Sequence, residues 1–403
     1  MDGPTLYRVR RDPKGARCQP SAHARYGSVV AIRNLGFIVV LAALAVSCTP
    51  SAATTSPDPS TLSPITTLAT VPTTATTTST SPITPDTSTT ITAAPPADPV
   101  APSSPQRTRL VISGTGDVNL DPAFVRSFRS TGYEDAWTGL DNAFLTDDLT
   151  IVNLECSPSN LGEPWDKPWT FRCDTDALPS MAAAGVDVAN LANNHGTDFG
   201  FEAMLDGMTN LEAVGIAPVG TGRTITDAYQ PFVAEINGWT IAVIGSGGVN
   251  PETGSWLALD DRPGMTHGDD TASIAAAVSA AKETADIVLV TAHWGEQGTS
   301  TPRPFERRQA EAWIDAGADG ILGHHQHVLQ PLEFYRGRPI AWGLGNFVWQ
   351  AYPPESRRTA IARFVFEPDG RVGACLIPVT IERSGHPVVQ APTTDVCIPA
   401  GGR

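Results

Sequence analysis

The strongest constraint on the fold of this chain is an alternation of short apolar runs with helical stretches. Runs that are rich in aliphatic and β-branched residues and bounded by glycine or polar residues predict buried strands. Ala-rich segments at 273–285 and 305–316 predict helices between some of them. Strands that alternate with helices indicate an α/β layered domain. The predicted strands are 110–114, 150–154, 186–191, 241–245, 286–291 and 320–322.

The carboxyl-terminal part of the chain has a different pattern. Apolar runs at 363–366 and 372–381 flank the segment Pro368-Asp369-Gly370. An Asp-Gly turn between two such runs predicts a β-hairpin. We place the folded domain at 108–385 and expect a short tail at 386–403.

Polar residues follow the carboxyl ends of five predicted strands. In layered α/β sheets this edge is where ligands bind. One polar residue after a strand would be weak evidence, but five strands that end in Asp, Glu, Asn or His favour one shared site. The residues are Asp117, Glu155, Asn194, His195, His293, His325 and His327.

Three of the chain's 8 histidines lie within four positions, in the run Gly323-His324-His325-Gln326-His327. Imidazoles two residues apart after a strand can face one metal ion or two neighbouring ions, and a two-metal hydrolase needs several such ligands. The alternative is a polar loop that contains histidines by chance. The acidic and amide residues at the other strand ends favour the metal site.

The first 47 residues have the pattern of a secretion signal. They carry 7 Lys/Arg against 2 Asp, and the apolar run 35–46 leads into Ala45-Val46-Ser47-Cys48. A run this short predicts a signal peptide rather than a spanning helix. The cysteine after small residues resembles a lipobox, which predicts a lipid anchor on Cys48, an exported protein and a place on the outer face of the cell membrane or the cell surface. An ordinary cleaved signal is the alternative.

Residues 48–107 consist almost entirely of Thr, Ser, Pro and Ala. Such a segment has too few large apolar residues to form a core, so we expect a disordered tether. Beyond residue 47 the chain has 20 basic and 40 acidic residues. This balance argues against nucleic acid as a partner, because phosphate contacts need Lys or Arg.

Four cysteines remain in the chain after the tether. Four cysteines in an oxidising compartment can pair in three ways. We favour the two pairs that are local in sequence, Cys156 with Cys173 and Cys375 with Cys397. Zinc binding is the alternative, but no C-x-x-C spacing supports it.

Six short segments occur in a specific order between residues 110 and about 350. They are Gly116-Asp117, Asn153-Leu154-Glu155, Leu191-Ala192-Asn193-Asn194-His195 with Asp198 and Gly200, His293-Trp294-Gly295, Gly323-His324-His325-Gln326-His327 with Gln330-Pro331, and Gly345-Asn346-Phe347. This ordered set resembles the CapA-type capsule synthesis proteins, which carry the poly-γ-glutamate capsule domain and are similar to calcineurin-type metallophosphoesterases.

The resemblance implies a four-layer αββα sandwich of the metallophosphatase type that holds two divalent transition-metal ions, Mn, Fe or Zn. It places Asp117, Glu155 and His327 around the first ion. It places Glu155, Asn194, His293 and His325 around the second. Asn119 stands where the superfamily has a further histidine ligand, and we keep it as a candidate metal ligand. Glu296 stands one place before Gln297, the position at which the family pattern has its glutamate.

The same resemblance makes His195 the candidate general acid, with Asp198 as the residue that orients it. Arg172 and His324 are candidate substrate-binding residues, although an exposed, solvated Arg172 is an equal alternative. The implied function is a metal-dependent hydrolase linked to capsule or poly-γ-glutamate biosynthesis. The alternative is a non-catalytic accessory lipoprotein that binds the envelope polymer or its synthase.

Overall fold

Two β-sheets form the centre of the fold. The computed structural model describes residues 6–7, 106–249, 256–391 and 397–399. The strands in the first half, numbered along the chain, are β1 (Leu6–Tyr7), β2 (Leu110–Val118), β3 (Leu149–Leu154), β4 (Val188–Asn190), β5 (Ala217–Val219), β6 (Thr221–Gly222), β7 (Phe232–Ile236), β8 (Trp239–Gly247) and β9 (Gly264–Met265). Those in the second half are β10 (Ile287–His293), β11 (Gly320–His324), β12 (Leu332–Tyr335), β13 (Arg338–Ala341), β14 (Asn346–Val348), β15 (Arg358–Phe366), β16 (Val372–Ile381), β17 (Pro387–Val389) and β18 (Ile398–Pro399).

The helices connect these strands and lie on the outside of the sheets. In chain order, the α-helices of the described residues are α1 (Phe128–Thr131), α2 (Asp135–Thr138), α3 (Leu178–Ala184), α4 (Gly200–Ala213), α5 (Ile225–Ala228), α6 (Thr271–Lys282) and α7 (Pro304–Asp315). Single turns of 3-10 helix lie at Thr175–Ala177 and Glu355–Arg357. Helix α6 begins where the Asp270 side chain accepts hydrogen bonds from the backbone of Ala272 and Ser273, which is the usual role of an N-cap aspartate.

The sheet that carries the acidic residues, here called the acidic sheet, has the order β17-β16-β15-β2-β3-β4-β5. Strands β14 and β18 pair with β2 and β16. Strands β2 to β5 run parallel, so their carboxyl ends meet at one edge. Strand β15 is antiparallel to both β2 and β16.

The second sheet, here called the histidine sheet, has the order β1-β7-β8-β10-β11-β13-β12. Its central strands β8, β10, β11 and β13 run parallel. Strand β7 is antiparallel to β8, and β12 is antiparallel to β13. The carboxyl ends of β10 and β11 therefore also share one edge.

Successive residues of a strand face opposite layers of the fold. On β3, Ile151 points into the core between the two sheets, whereas Val152 packs beneath the outer helices. On β10, Leu289 and Val290 divide in the same way. Both faces of each sheet are covered, which explains why the strands read as nearly continuous apolar runs.

The two outer layers complete the sandwich. Trp137 of α2 and Met181 of α3 pack on the acidic sheet, and Val278 of α6 and Trp313 of α7 pack on the histidine sheet. The predicted four-layer αββα architecture is therefore confirmed. At Gly114 of β2, an added Cβ atom would lie 2.4 Å from Leu322 Cδ1 of the facing sheet, so glycine permits this close approach of the sheets.

The predicted hairpin and both predicted disulfides are confirmed. Strands β15 and β16 pair in antiparallel register around the Asp369-Gly370 turn. Cys156 bonds to Cys173 and Cys375 bonds to Cys397, with Cα atoms 5.3 Å and 4.9 Å apart.

The domain extends beyond the predicted boundary at residue 385. Strands β17 and β18 pair with β16, and Cys397 is tied to Cys375. The segment predicted as a tail therefore adds to the edge of the acidic sheet, because β16 still offers free backbone groups on that side.

The predicted signal peptide, the lipidation site at Cys48 and the tether lie outside the described residues, apart from 6–7 and 106–107. They stay predictions. Among the described helices, none has the length and apolar character needed to cross a bilayer.

Candidate metal centre

The carboxyl ends of both sheets meet at one place, and polar residues from each sheet converge there. The acidic sheet contributes Asp117 from β2, Glu155 after β3 and Asn194 after β4. The histidine sheet contributes His293 at the end of β10 and two histidines after β11. The six side chains, which sequence reasoning placed around metal ions, are Asp117, Glu155, Asn194, His293, His325 and His327.

Five of these side chains form two overlapping triads. Asp117, Glu155 and His327 offer ligand atoms that all lie within 4.8 Å of one another. Glu155, His293 and His325 form a second triad at the same spacing. Glu155 belongs to both, so one carboxylate lies between two groups of donors.

Individual distances within the triads are short. The Nδ1 atom of His327 lies 3.1 Å from Asp117 Oδ2, and its Nε2 atom lies 3.9 Å from Glu155 Oε1. His293 Nε2 lies 3.6 Å from the same Glu155 oxygen. The rings of His293 and His325 are 4.8 Å apart. These separations leave space for cations between the donor atoms.

Polar atoms without hydrogen-bond partners also indicate that the triads fit metal ions. Both carboxylate oxygens of Glu155 and the Nδ1 atom of His325 are buried without a hydrogen-bond partner among the described residues. Burying a carboxylate in this way is costly unless a cation compensates it. Carboxylate and imidazole donors together suit divalent transition metals such as Mn, Fe or Zn. The residues present therefore fit such a group.

The two carboxylates differ in their electrostatics. Burial, followed by the charges of Asp117 and Asp198, raises the pKa of Glu155 well above its usual value. Burial also opposes ionisation of Asp117, but the contact with His327 and the charges of His324 and His325 outweigh it and lower the pKa of Asp117. The metal-free site therefore disfavours a second negative charge on Glu155, which a bound cation would reverse.

Burial keeps His293 and His325 neutral. It lowers the pKa of His293 well below the usual value, with a further contribution from His325. Burial and the neighbouring His327 lower the pKa of His325 to about 3. Neutral imidazole is the form that binds metals, so these side chains are ready for ligation at neutral pH.

The backbone after β11 is strained where the two histidine ligands lie. His325 has φ 92° and His327 has φ 56°, both in the left-handed region that L-residues other than glycine avoid. Such strain persists only where the surrounding structure imposes it, and it is concentrated at functional sites. This conformation lets both rings of a short H-x-H segment face the acidic sheet.

Asparagine side chains behind the ligands form a network that sequence reasoning missed. The Asn153 amide nitrogen donates to Asp117 Oδ1 at 2.9 Å and lies 3.2 Å from His293 Nδ1. The Asn153 oxygen accepts from Asn190 and Asn193 at 3.1 Å and 3.3 Å. Such partners orient metal ligands. Their position close to the carboxyl ends of β3 and β4 was the available signal.

Asn194 and the neighbouring His195 complete the site. The Asn194 side-chain oxygen lies 2.7 Å from His293 Nε2, which puts it beside the second triad. His195 Nδ1 lies 2.7 Å from Asp198 Oδ2. Because a carboxylate can only accept, His195 donates from Nδ1 and presents Nε2 as the free ring nitrogen. Burial lowers the pKa of His195, although the contact with Asp198 opposes this.

An aromatic wall joins the metal ligands to His195. The Phe171 ring centroid lies 4.4 Å from that of His195 and 5.6 Å from that of Trp349. The Trp349 ring lies 4.7 Å from His327. This wall is nearly fully buried and excludes water from one side of the space between His195 and the triads.

Arg172, one of the predicted substrate-binding residues, has a structural role. Its guanidinium donates to the carbonyls of Ser159, Leu161 and Gly162 at 2.6–2.8 Å and lies 3.6 Å from the Phe199 ring centroid. These contacts use the donors that a substrate would need, because a tight turn at 159–162 presents three carbonyls to one side chain. The substrate-binding assignment of Arg172 is therefore corrected.

His324 is also not placed to touch substrate. It is fully buried, and its Nε2 atom lies 3.0 Å from Thr291 Oγ1. Its Nδ1 atom lies 3.8 Å from Asp117 Oδ1, behind the metal ligand. Its contact with Thr291 of β10 and its full burial place the side chain inside the fold, away from the open edge. Burial lowers the pKa of His324 to about 4.

Asn119 is turned away from ligation, because its side-chain oxygen accepts the backbone N–H of Asp121 at 2.9 Å. Its amide nitrogen, which cannot bind a cation, is buried without a hydrogen-bond partner among the described residues. The predicted ligand role of Asn119 is not supported by this geometry. Glu296 lies at the surface, where it pairs with Arg303 at 3.3 Å.

Comparison with known proteins agrees with this arrangement. Residues 111–351 match the family described as bacterial capsule synthesis protein PGA_cap. The chain belongs to this family. The matched region begins in β2 and ends after β14, so it contains every residue of both triads.

Named relatives of this PGA_cap member include the PGA biosynthesis protein CapA of Bacillus subtilis, which is 29% identical over 70% of this chain and 73% of that protein. A second is the "Probable polyglutamine synthesis accessory protein" of Mycobacterium tuberculosis, 35% identical over 50% of this chain. A third is the capsule biosynthesis protein CapA of Bacillus anthracis, 31% identical over 56% of this chain. The chain spans about half the length of the last two, 55% and 56%.

Among solved structures, a "Putative 5'-Nucleotidase" from Staphylococcus aureus aligns with a TM-score of 0.45 and 13% identity. The alignment covers 72% of this chain and 56% of the other. We draw no conclusion about activity from a similarity at this level.

Proposed function

We propose that this chain is an exported, metal-dependent hydrolase that acts in the production of an anionic cell-surface polymer of the poly-γ-glutamate kind. The observation that carries the proposal is the pair of ligand triads sharing Glu155, next to the His195–Asp198 pair. The family description and the names of its relatives support the link to capsule polymers. The bond cleaved would be a phosphate ester, or an amide or glycosidic linkage of an envelope polymer.

The chemistry follows from the residues around the triads. A pair of divalent cations, held by Asp117, Glu155 and His327 on one side and by Glu155, His293, His325 and Asn194 on the other, would polarise a substrate oxygen. In its doubly protonated form, in which Nε2 also carries a proton, His195 is placed to donate that proton to the leaving oxygen and to return to the Nδ1–H tautomer. Asp198 keeps the opposite nitrogen protonated and the ring in place. Phe171 and Trp349 keep water away from that side of the bond.

A second candidate is a non-catalytic accessory protein that binds the polymer or its synthase. Two observations favour it. Asn119 offers no ligand atom where the metallophosphoesterases have histidine, and the Mycobacterium tuberculosis relative is named as an accessory protein. In this case the triads would hold metal for structural reasons, and a synthase would be the partner.

We infer the site of action from the sequence before the domain. The lipobox at Ala45-Val46-Ser47-Cys48 and the tether at 48–107 support an anchor on the outer face of the cell membrane. Mass spectrometry of the membrane-fraction protein would detect a lipid on Cys48, and Cys48→Ala should release the protein from that fraction. A protein that stays in the membrane after this change would contradict the anchor.

Activity separates the two candidates. The purified protein is loaded with Mn²⁺ and assayed against phosphate esters and poly-γ-glutamate, beside a His195→Gln variant. A hydrolase should lose about 10²–10⁴-fold in turnover through His195→Gln, the usual contribution of a general acid, and should keep its metal. A wild-type protein that binds Mn²⁺ and cleaves none of these substrates supports the accessory role instead.

A further inference from the structure

One lysine close to the site is buried, which is unusual for this side chain. The Lys167 side chain is 6% exposed, and its ammonium lies 2.6 Å from Asp198 Oδ1. It also donates to the backbone carbonyl of Asn194 at 2.6 Å and lies 4.5 Å from the Trp256 ring centroid. The positive charge thus has three close partners in place of water.

The partners of Lys167 connect it to the predicted proton donor. Asp198 is fully buried, and its second oxygen, Oδ2, lies 2.7 Å from both His195 Nδ1 and the backbone nitrogen of Phe171. Of these three partners of Asp198, only Lys167 carries a full positive charge. Without it, a buried carboxylate would be left with neutral or titratable donors alone.

The loop that carries Lys167 is held at several points. The Cys156–Cys173 disulfide closes it, and the Arg172 guanidinium binds three of its carbonyls. The backbone nitrogen of Trp165 donates to the Asp198 carbonyl at 2.8 Å. The segment that carries the ammonium is therefore preorganised, so little conformational entropy is lost when Lys167 forms its ion pair with Asp198.

We propose that Lys167 is a positioning residue for proton transfer. It fixes the Asp198 carboxylate, and through it the tautomer and orientation of His195, so that Nε2 is the nitrogen presented to substrate. This inference rests on the hydrolase function proposed above. A wrongly oriented imidazole cannot deliver its proton, as happens when the carboxylate of a serine-protease triad is altered.

Lys282 is a matched control at the opposite end of the histidine sheet. Its ammonium lies 2.6 Å from Asp319 Oδ2 and 2.5 Å from the Asp286 carbonyl. Asp286 and Asp319 directly precede the amino ends of β10 and β11, away from the triads. Lys282→Met therefore removes a lysine–aspartate ion pair of the same length, from a more exposed side chain, without touching the site.

Turnover tests the proposal on two esters, with the Mn²⁺-loaded protein. The p-nitrophenolate that leaves p-nitrophenyl phosphate is a stable anion and needs little protonation. The phenolate that leaves phenyl phosphate is more basic and depends on protonation. Lys167→Met should lower kcat about 10–100-fold on phenyl phosphate, the range expected for residues that orient a catalytic group, and much less on p-nitrophenyl phosphate. Its Mn²⁺ affinity should change less than kcat. Lys282→Met should leave the ratio of the two rates unchanged. Equal losses of Lys167→Met on both esters would overturn the proposal.

A second readout does not depend on turnover. Nitrogen–proton NMR correlation of the histidine rings in the metal-free protein should show His195 protonated at Nδ1, with His195→Gln assigning the signal. Lys167→Met should convert it to a mixture of tautomers, and Lys282→Met should not. If Lys167→Met fails to fold, Lys167→Arg takes its place. Since Lys167→Arg keeps the charge, it should retain the wild-type tautomer. If the wild type shows one tautomer but cleaves neither ester, the hydrolase function fails while the positioning role stands. An unchanged His195 signal in Lys167→Met overturns the role.

Discussion

Glu155 is the residue on which the site depends most. It is fully buried, both its oxygens lack a hydrogen-bond partner among the described residues, and it belongs to both triads. Its carboxylate is set directly after β3, between Leu154 in the core and Cys156 in a disulfide. The chain thus holds a costly group rigidly in the one place where cations could compensate it.

Glu155→Gln should lower the affinity for Mn²⁺ by roughly 100-fold or more, because it removes the charge shared by both triads. Loss of a residue that only hydrogen-bonds to a metal ligand costs about 10–100-fold in affinity, and loss of a ligand should cost more. Metal analysis after dialysis against defined free Mn²⁺ measures this. Glu306→Gln is the control, since Glu306 is also buried but pairs with Arg303. Similar Mn²⁺ retention by the two variants would contradict the assignment.

His324 gives the metal-free protein a predictable sensitivity to acid. Burial lowers the pKa of His324 to about 4. Between pH 6.5 and 4, His324 is therefore mostly protonated in the unfolded chain and mostly neutral in the folded chain. Stability contributed by neutral His324 is complete above pH 6.5 and is lost as the pH falls. The expected loss is about 3 kcal/mol in the free energy of unfolding by pH 4.

Urea unfolding of the metal-free protein at pH 7.5 and 4.5 measures this loss. His324→Gln should make the difference between the two pH values smaller. Other buried histidines, such as His293 and His325, add to the pH dependence of the free energy of unfolding in both proteins. The comparison therefore isolates the contribution of residue 324. Parallel losses in the wild type and the variant would show that His324 is not the cause.

At the scale of elements, the strands that build the site were predictable. Strands β2, β3, β8, β10 and β11 are covered on both faces, so their apolar runs stand out in the sequence. The short edge strands β12 and β17 were missed because half-buried edge residues carry a weak pattern. Arg172 was assigned wrongly because a sequence cannot show that a turn at 159–162 will present three carbonyls to its guanidinium.

The two disulfides allow a test of whether the Cys156–Cys173 loop helps to hold the metal ligands in place. Removing either one, as Cys156→Ala/Cys173→Ala or Cys375→Ala/Cys397→Ala, should lower the free energy of unfolding by about 3 kcal/mol, because they close loops of 17 and 22 residues. Only the first should also weaken Mn²⁺ binding, because Cys156 directly follows Glu155. Urea unfolding and Mn²⁺ titration check the two effects, and equal Mn²⁺ affinities in both variants would contradict the link.

At the scale of the whole molecule, the ligands come from two separate sheets. Asp117 and Glu155 belong to the acidic sheet, and His293, His325 and His327 belong to the histidine sheet. Between the sheets lies an apolar core of Ile, Leu, Val and Phe side chains. Cations bound by the triads would therefore connect the two layers directly.

Mn²⁺ at 100 times its dissociation constant should stabilise the wild-type protein by about 2.7 kcal/mol. For a domain of this size the melting temperature should rise by roughly 5–10 °C. Thermal unfolding with Mn²⁺ and with EDTA measures the rise, which Glu155→Gln should reduce to about 0.4 kcal/mol of stabilisation or less. The same rise in that variant would mean that Mn²⁺ acts elsewhere.

The division of the ligands between the sheets has a consequence for motion. Hydrophobic contact resists separation of two layers but is non-directional, so it resists sliding and twisting poorly. Coordination bonds have fixed lengths and directions. In the metal-free protein both sheets should persist while their mutual alignment fluctuates at the edge where β2, β3, β10 and β11 end. Metal uptake would then stop this sliding of one sheet on the other, and the ligand geometry would be assembled at the moment the two layers become fixed.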